Sequence, residues 1–354
     1  MRALGLMSGT SLDGIDAAVI ETDGIDIQGF GPSAGRPYET TDREVLRNAF
    51  GWEPAPTASA LIDQRHIEAV EALNEPVDLI GYHGQTVAHD PDNGRTRQLG
   101  DGSVLANALD TSVVWDFRSD DMIAGGQGAP LAPFYHWACA RWIKAKEPVA
   151  FLNLGGVGNV TWVDPTTPCP ETPGALLAFD TGPGNALIDD LMLTRMGRGY
   201  DLDGEMGAAG KVNKAVLHSL ESSPYFAVKP PKSLDRDDFA HATVAIADLS
   251  TEDAAATLTA FTASSVAKAA KHLPSAPSQW LVCGGGRLNP TMMRMLSDGL
   301  AVPVLAVEEV GLDGDMLEAQ AFAYLAVRVL HGLPTSAPGT TGCTEPVSGG
   351  QISA

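Results

Sequence analysis

The stretch ALGLMSGTSLDGIDAAVI, residues 3–20, decides the fold prediction because it places a tight polar turn between two apolar segments. The apolar runs at 3–7 and 15–20 predict strands. Residues 8–14 are rich in Ser, Thr, Asp and Gly, which favour turns. The chain is therefore expected to open with a β-hairpin at the head of an α/β segment.

The turn of this hairpin carries groups that suit a phosphate. Glycine lets backbone N–H groups approach a phosphate closely, and Thr10 and Ser11 add hydroxyl donors. Asp13 or Asp16 can hold Mg²⁺ directly or through water. The segment is not a Walker A loop, because GxxxxGK[ST] is absent and a strand follows instead of a helix. An ordinary hairpin turn would use the same residue types, so both interpretations stay open here.

Two further glycine clusters follow later in the chain. NLGGVGN, residues 153–159, lies in a second strand-turn-strand setting, and two such turns would grip a triphosphate from opposite sides. CGGGRLN, residues 283–289, joins a strand to a helix. It matches two glycines of a dinucleotide fingerprint, but Asn289 stands where the third should be. A nucleoside-binding surface fits at least as well, and a tight strand–helix turn is the alternative.

The strongest single catalytic candidate is Asp180, in the segment FDTGPGN at 179–185. Its carboxylate follows an apolar strand and precedes a stiff turn that can fix its direction. A kinase needs a base in such a place to take a proton from the attacking nucleophile. Asp is also common in turns and at helix caps, so the local pattern alone does not decide the role.

Polar residues just past two other predicted strands are candidate substrate contacts. His83 and Gln85 follow LIGY, and Arg118 follows SVVWDF. α/β proteins place ligand contacts at such strand ends. Glu318 lies in the first turn of the last predicted helix, where an acid is also favoured by the helix dipole. Each of these residues taken alone also fits a loop, surface or helix-end role.

Composition limits the partners. The net charge is −21, from 23 Lys and Arg against 44 Asp and Glu, which argues against nucleic acid and an anionic membrane surface. No run reaches the roughly 20 apolar residues of a membrane span, and the N-terminus does not resemble a signal peptide. The four cysteines form no CxxC pair, which fits reduced thiols in a cytoplasmic protein.

The length of 354 residues favours two domains. A short polar break, KAKEP, lies near 144–148. We therefore predict an N-terminal domain over residues 1–147 with the first phosphate hairpin. The second domain, 148–354, would hold the other glycine clusters and Asp180, with a C-terminal tail that can pack back on the first domain.

Read together, the motifs resemble the anhydro-N-acetylmuramic acid kinase family over nearly the whole chain. The matching segments, in order, are GLMSGTSLDGIDAA (5–18), GYHGQTVAH (81–89), VVWDFRSDD (113–121), GGQGAPL (125–131), NLGGVGNVT (153–161), FDTGPGN (179–185), PPKS (230–233), TLTAFTA (257–263), CGGGRLN (283–289) and DMLEAQAFAYLA (315–326). The resemblance implies an α/β, two-domain actin-like ATPase (ribonuclease H-like) fold with an interdomain active-site cleft. It also implies an ATP- and Mg²⁺-dependent enzyme of peptidoglycan recycling. Such an enzyme phosphorylates O6 of the sugar while water opens the 1,6-anhydro ring.

The resemblance also assigns expected roles. Asp180 becomes the base that activates water, Glu318 a second catalytic candidate, and Asp13 the expected Mg²⁺ ligand. His83, Gln85 and Arg118 become substrate-binding candidates, with Arg118 suited to the lactyl carboxylate of the sugar. The expected ATP-binding residues are Gly9, Thr10, Ser11, Leu12, Asp13, Gly14, Ile15, Asp16, Gly155, Gly156, Gly284, Gly285 and Gly286.

Two segments depart from the family pattern. Leu234-Asp235-Arg236 follows PPKS where a threonine-glycine-arginine run is usual, and the tail SAPGTTGC matches poorly, so Lys232, Arg236 and the tail are left outside the expected site. Another small-metabolite kinase of the same fold is the main alternative function. A non-kinase actin-like nucleotide switch is another. The sequence does not determine the oligomeric state, and a homodimer is one alternative.

Overall fold

The computed structural model describes all 354 residues. Its strands are β1 (Arg2–Ser8), β2 (Gly14–Thr22), β3 (Ile27–Pro37), β4 (Leu79–Asp90), β5 (Arg95–Leu99), β6 (Val113–Trp115), β7 (Val149–Leu154), β8 (Val157–Val163), β9 (Leu176–Pro183), β10 (Trp280–Cys283), β11 (Val304–Ala306) and β12 (Gln351–Ser353). Its helices are α1 (Thr40–Arg47), α2 (Pro56–Leu73), α3 (Gly102–Leu109), α4 (Ser119–Ile123), α5 (Pro133–Trp142), α6 (Ala186–Met196), α7 (Glu205–Ala209), α8 (Lys214–Glu221), α9 (Ala242–Ala245), α10 (Thr251–Ala269), α11 (Pro290–Gly299), α12 (Leu317–Leu330) and α13 (Pro338–Thr341).

The chain forms two compact units, and two segments of the predicted second domain, 167–176 and 316–354, belong to the first unit. Unit 1 contains Met1–Lys144, Thr167–Leu176 and Met316–Ala354, and unit 2 contains Ala145–Thr166 and Leu177–Asp315. The boundary between Lys144 and Ala145 lies close to the predicted domain boundary at 147/148. However, the whole of α12 joins unit 1, not only a tail, because its apolar face packs on the first sheet.

Unit 1 is built on a seven-stranded sheet in the order β12-β6-β4-β1-β2-β3, with β5 paired to β4. β1 pairs parallel with β4, and β4 pairs parallel with β6, whereas β2 runs antiparallel to β1. The parallel pairings therefore end at one edge of the sheet, which is where α/β proteins place ligand contacts. The predicted opening hairpin is confirmed, and β3, β5 and β12 are strands that the sequence patterns did not identify.

Helix α12 lies directly against β1 and β4 of this sheet. A Cβ atom on Gly5 would stand 1.7 Å from the Ala319 carbonyl oxygen, and one on Gly81 would stand 2.1 Å from that of Phe322. Only glycine permits this approach of helix backbone to strand backbone. The two glycines thus fix where the first turn of α12, with Glu318, sits above the sheet.

Unit 2 contains a five-stranded sheet in the order β11-β10-β7-β8-β9. β7 pairs antiparallel with β8, as the second hairpin predicted, and parallel with β10. Helix α10 supplies a fully buried apolar face to the core of this unit, in which Phe261 and Trp280 are at most 1% exposed. No helix in the structure has both the length and the apolar character that a membrane crossing requires.

Candidate active site

The turn between β1 and β2 presents its polar side chains outward on an apolar anchor. Leu12 is buried and adopts a left-handed conformation with φ 59°, while Thr10, Ser11 and Asp13 are exposed. The Asp13 carbonyl accepts a hydrogen bond from the Tyr38 backbone N–H at 3.0 Å. The hydrogen bond to Tyr38 and the buried Leu12 therefore fix the backbone of the turn. Its hydroxyl and carboxylate groups are exposed, so a ligand can reach them.

Within this predicted ATP segment the residues divide by burial. Gly9, Gly14 and Asp16 are half-buried, and Leu12 and Ile15 are buried. Only backbone groups of the two apolar residues can face a nucleotide. The family assignment of the segment to ATP stays a prediction, and the exposed hydroxyls are the groups that fit it best.

Gln85 supports this turn from within unit 1. Its side chain is fully buried, its Oε1 accepts a bond from the Ser8 hydroxyl at 2.6 Å, and its Nε2 donates to the Gly9 carbonyl at 3.3 Å. Ser8 Oγ also lies 2.8 Å from the Tyr38 hydroxyl. These bonds favour a role in positioning the phosphate turn, and the predicted direct contact of Gln85 with substrate stays a prediction.

The HGQT motif lies inside β4, not in a loop after a strand as the pattern suggested. The strand continues because β5 pairs antiparallel with it from Gln85 onward, just where its parallel pairing with β1 ends. Gly84 takes a positive φ of 70° at this transition, and a Cβ there would stand 2.3 Å from the Leu99 carbonyl oxygen. The motif thus still lies where the parallel pairing of β4 with β1 ends, the place where α/β proteins put ligand contacts.

The buried His83 and the half-buried Arg118 form a pair at this edge. The guanidinium donates from Nε and Nη2 to His83 Nε2 at 3.2 and 2.9 Å, and His83 Nδ1 lies 2.9 Å from the Gly84 carbonyl oxygen. Because a guanidinium only donates and a carbonyl only accepts, His83 must be the neutral Nδ1–H tautomer. Burial and the Arg118 charge hold the pKa of His83 well below its usual value, in agreement with this assignment.

Arg118 is held on its other side by the loop that follows α4. Its Nη1 donates to the Gly128 carbonyl at 2.8 Å. Burial lowers its pKa to about 10, while the nearby charges of Glu318 and Asp121 act in the opposite direction. Arg118 therefore remains charged at neutral pH. The structure brings His83, Arg118 and Glu318 together, and Glu318 is exposed at the start of α12.

A cavity of about 220 Å³ opens beside this group in unit 1. Aromatic and polar residues of β4, β5, β6 and α4 line it, together with Gly84 and Gly100. This mixture of flat apolar surface and a few polar groups is typical of small-molecule sites. The other lining residues are Tyr82, His83, Thr96, Arg97, Gln98, Leu99, Trp115, Asp116 and Ser119.

In unit 2, Asp180 lies inside β9, which continues to Pro183 where the pattern predicted a turn directly after Asp180. The segment 232–234 contacts it on one side. Asp180 Oδ2 accepts the Leu234 backbone N–H at 2.8 Å, and the Asp180 N–H donates to the Lys232 carbonyl at 3.1 Å. Burial raises its pKa to about 6, helped by Asp235 and opposed by the Leu234 N–H and Lys232. A half-buried carboxylate that titrates near 6 can accept a proton at neutral pH.

Lys232 is a residue that the sequence analysis left out of the site. It is 7% exposed, and its Nζ donates to the Tyr225 carbonyl at 3.1 Å and stands 4.3 Å from the centre of the Tyr225 ring. The Tyr225 hydroxyl in turn donates to the Asp180 carbonyl at 2.5 Å. The family motif PPKS was a usable signal for Lys232, while nothing in the sequence indicated Tyr225.

The glycine clusters of unit 2 meet around Asn185. Its backbone N–H donates to the Gly155 carbonyl at 2.7 Å, and its Nδ2 donates to Leu154 at 2.8 Å. A Cβ on Gly285 would lie 3.7 Å from Asn185 Nδ2, and one on Gly286 would lie 2.5 Å from the Leu154 Cβ. The predicted Gly155–Gly156 turn, residues 184–185 after β9 and the Gly284–Gly286 cluster thus lie next to one another.

The acidic residues fit Mg²⁺ that arrives with a nucleotide. No group of three His, Cys, Asp or Glu side chains is arranged to hold a metal ion. Mg²⁺ usually keeps several waters and binds through one or two carboxylates plus substrate phosphates, so a protein cage is not required. The exposed carboxylate of Asp13 on the hydroxyl-bearing turn meets that requirement.

Two α/β units, with β1–β2 and β7–β8 joined by hairpin turns, define the fold of actin-like ATPases and sugar kinases, as predicted. Component A of (R)-2-hydroxyglutaryl-CoA dehydratase from Acidaminococcus fermentans shares this fold. The match has a TM-score of 0.51 at 14% identity and covers 93% of this chain and 98% of that one.

The family model for anhydro-N-acetylmuramic acid kinase matches residues 1–354, so the chain belongs to that family. Anhydro-N-acetylmuramic acid kinase 1 of Jannaschia sp. (strain CCS1) is 57% identical over 355 residues, covering 99% of this chain and 94% of the relative. The anhydro-N-acetylmuramic acid kinase of Ruegeria sp. (strain TM1040) is 58% identical with the same coverage. The resemblance inferred from the motifs is confirmed.

Proposed function

We propose that this chain uses ATP and water to convert 1,6-anhydro-N-acetylmuramic acid to N-acetylmuramic acid 6-phosphate, in the recycling of peptidoglycan. Membership of the family supports the substrate. The observation that carries the chemistry is the Asp180 carboxylate, fixed by the Leu234 N–H and poised by burial to titrate near 6. A base of this kind suits the activation of a water nucleophile.

The proposed reaction couples two bond changes. The oxygen of water bonds to the anomeric carbon as the bond from that carbon to O6 breaks, and Asp180 takes the proton of water. O6 bonds to the γ-phosphorus as that phosphorus parts from ADP. Holding water, sugar and phosphate in one geometry supplies much of the rate of such a step.

Residues of unit 1 would orient the sugar and the phosphates. The cationic Arg118, fixed by His83, supplies positive charge close to Glu318 at the edge of the sheet. The exposed hydroxyls of Thr10 and Ser11 would donate to phosphate oxygens. Mg²⁺, when bound with ATP, would neutralise phosphate charge, and Asp13 is the residue that we propose to hold it.

Purified protein incubated with Mg-ATP and 1,6-anhydro-N-acetylmuramic acid should release a product heavier than the sugar by one water and one phosphoryl group. Mass spectrometry measures this. In ¹⁸O water, early time points should carry the label at the anomeric oxygen and not in the phosphate. ATP hydrolysis that ignores the sugar would instead favour a nucleotide switch, and label in the phosphate would rule out coupled ring opening.

Asp13→Asn should lower kcat/KM for Mg-ATP by roughly 10- to 100-fold, since charged hydrogen-bonding and metal contacts are worth about 1.5–3 kcal/mol. The side chain is exposed, so the fold should survive. Steady-state kinetics over a range of Mg²⁺ concentrations gives the measurement. Asp92→Asn, another exposed turn acid, is the matched control. Wild-type use of Mg-ATP by a folded Asp13→Asn protein would remove Asp13 from the site.

A cytoplasmic location and a homodimer are further parts of the proposal. Neither follows from the fold of one chain. Light scattering on the purified protein measures the oligomeric state directly, and a mass of one chain across the working concentration range would exclude the homodimer.

A further inference from the structure

Asp121, in α4, has a buried carboxylate that is bound by two distant parts of unit 1. The residue is 1% exposed. Its Oδ2 accepts the Gly128 backbone N–H at 2.7 Å, and its Oδ1 accepts the hydroxyls of Thr341, at 2.6 Å, and Ser336. A carboxylate is costly to bury unless hydrogen bonds replace its water. The three donors are therefore held in place around one buried group.

The loop 125–128, part of the motif GGQGAPL, has a backbone that closes around Asp121. The Gly126 N–H donates to the Asp121 carbonyl at 2.8 Å, and a Cβ on Gly126 would stand 2.2 Å from Asp121 Oδ2. Gly128 has a positive φ of 68°, which glycine adopts readily. The glycines of the motif thus permit the contact between the loop and the carboxylate.

The C-terminal segment 336–344 contacts this loop through its backbone as well. The Gln127 N–H donates to the Thr341 carbonyl at 2.8 Å, and the Thr344 N–H donates to the Ala124 carbonyl at 3.2 Å. The sequence analysis left this tail outside the expected site. It nevertheless supplies two of the three donors to the buried carboxylate.

The same loop connects Asp121 to Arg118. Gly128 binds Asp121 through its N–H, and its carbonyl accepts Arg118 Nη1 at 2.8 Å. The other donors of the guanidinium, Nε and Nη2, bind His83 Nε2. Without Asp121, the Gly128 backbone would lose its anchor, and the guanidinium would lose a fixed partner.

We propose that Asp121 is a positioning residue, which ties the C-terminal segment to the loop 125–128 and thereby fixes the guanidinium of Arg118 for the sugar. The proposal rests on the proposed function for the task of Arg118, which is to orient the sugar. A misplacement of about 1 Å in such a group can cost about 10²-fold in rate. Because Asp121 is buried and engaged by protein donors, it acts through Arg118.

The first test follows the position of Arg118 without any substrate. ¹⁵N NMR of the full chain records the ring nitrogens of His83, identified as the signals that a His83→Gln variant lacks. Asp121→Leu should shift the Nε2 signal toward its position in Arg118→Met, because Nε2 loses hydrogen-bond donors in both variants. A wild-type Nε2 signal in folded Asp121→Leu would overturn the proposal.

Asp121→Asn separates the effect of position from that of charge. Its amide oxygen can accept the Gly128 N–H, and its NH₂ group can donate to the hydroxyls of Ser336 and Thr341. This variant should therefore recover most of what Asp121→Leu loses. If it behaves like Asp121→Leu instead, the negative charge is the property that matters, and the positioning role is wrong.

Asp23→Leu is the matched control within unit 1. Its carboxylate also binds backbone N–H groups in a turn, those of Ile25 and Asp26, but this turn follows β2 and has no bond to the loop 125–128. The His83 signals and the turnover of Asp23→Leu should match the wild type. Thermal unfolding of each variant checks that the fold is retained.

The second test measures turnover. Asp121→Leu should lower kcat/KM for 1,6-anhydro-N-acetylmuramic acid by roughly 10- to 100-fold and change KM for Mg-ATP by less than about twofold. In an Arg118→Met background the same substitution should have little further effect, because a double-mutant cycle isolates the coupling between the two residues. Equal losses in both backgrounds would mean that Asp121 only stabilises unit 1.

The two tests distinguish this proposal from the proposed function. If the chain does not phosphorylate this sugar, the proposed function fails, and the His83 signal still decides the role of Asp121. If the chain phosphorylates the sugar but the signal does not respond, the role of Asp121 fails alone. Should Asp121→Leu not fold, Ser336→Ala combined with Thr341→Val removes two of the three donors and replaces it. The same shift of the His83 signal is then expected, and an unchanged signal contradicts the proposal.

Discussion

Asp180→Asn should lower kcat by about 10²–10⁴-fold, the usual range for the loss of a general base. Asparagine keeps the size of the side chain and can still accept the Leu234 N–H, now 2.8 Å from Oδ2. It cannot take a proton from water. KM for both substrates should change little, because no group assigned to their recognition has been removed.

The wild-type pH profile tests the same residue without mutation. The ionised carboxylate is the active form, and burial raises the pKa of Asp180 to about 6. Log kcat should therefore fall below pH 6 with a slope near one and level off above it. The Asp180→Asn variant should lose this acid limb, because no carboxylate remains to titrate.

Asp235→Asn is the control for charge near the site. Asp235 is exposed and lies close enough to raise the pKa of Asp180 electrostatically, but its carboxylate has no assigned part in the chemistry. This variant should keep kcat near the wild-type value at pH 8. A folded Asp180→Asn enzyme with wild-type kcat would refute the assignment of the base.

Arg328→Met should cost about 3 kcal/mol of unfolding free energy in unit 1, the lower end of the range for breaking a buried ion pair. The Arg328 side chain is 1% exposed and pairs with Glu171 at 2.7 Å. It also donates to the Gly24 carbonyl at 2.8 Å and to the Pro334 carbonyl. Methionine fills similar volume but leaves these carbonyls and the Glu171 carboxylate without their donor.

Urea unfolding followed by hydrogen exchange of unit 1 amides gives the measurement, since exchange reports each unit separately. Arg294→Met is the control, because Arg294 forms an exposed i,i+4 pair with Asp298 and should change stability by less than about 0.5 kcal/mol. Equal exchange protection in Arg328→Met and wild type would show that the buried cation is dispensable.

Local pattern was sufficient for much of the fold. The β1–β2 and β7–β8 hairpins and the last long helix, α12, were predicted correctly, because turn chemistry and apolar periodicity are properties of neighbouring residues. The actin-like class was predicted from the family resemblance of the motifs taken together. The short strands β5 and β12 were missed. Their pairing depends on partners far away in the chain, so no local signal marks them.

The residues of the candidate site also fall into those that a local pattern predicts and those that depend on distant parts of the chain. Local motifs in the sequence identified candidates such as Asp180 in FDTGPGN and the hydroxyl-bearing turn at 9–14. The packing of distant segments was needed to show that Gln85 is buried beneath that turn and that Lys232 and Tyr225 lie beside Asp180. Burial, desolvation and hydrogen bonding are set by side chains brought together from distant segments, so the pattern of neighbouring residues in the sequence does not reveal them.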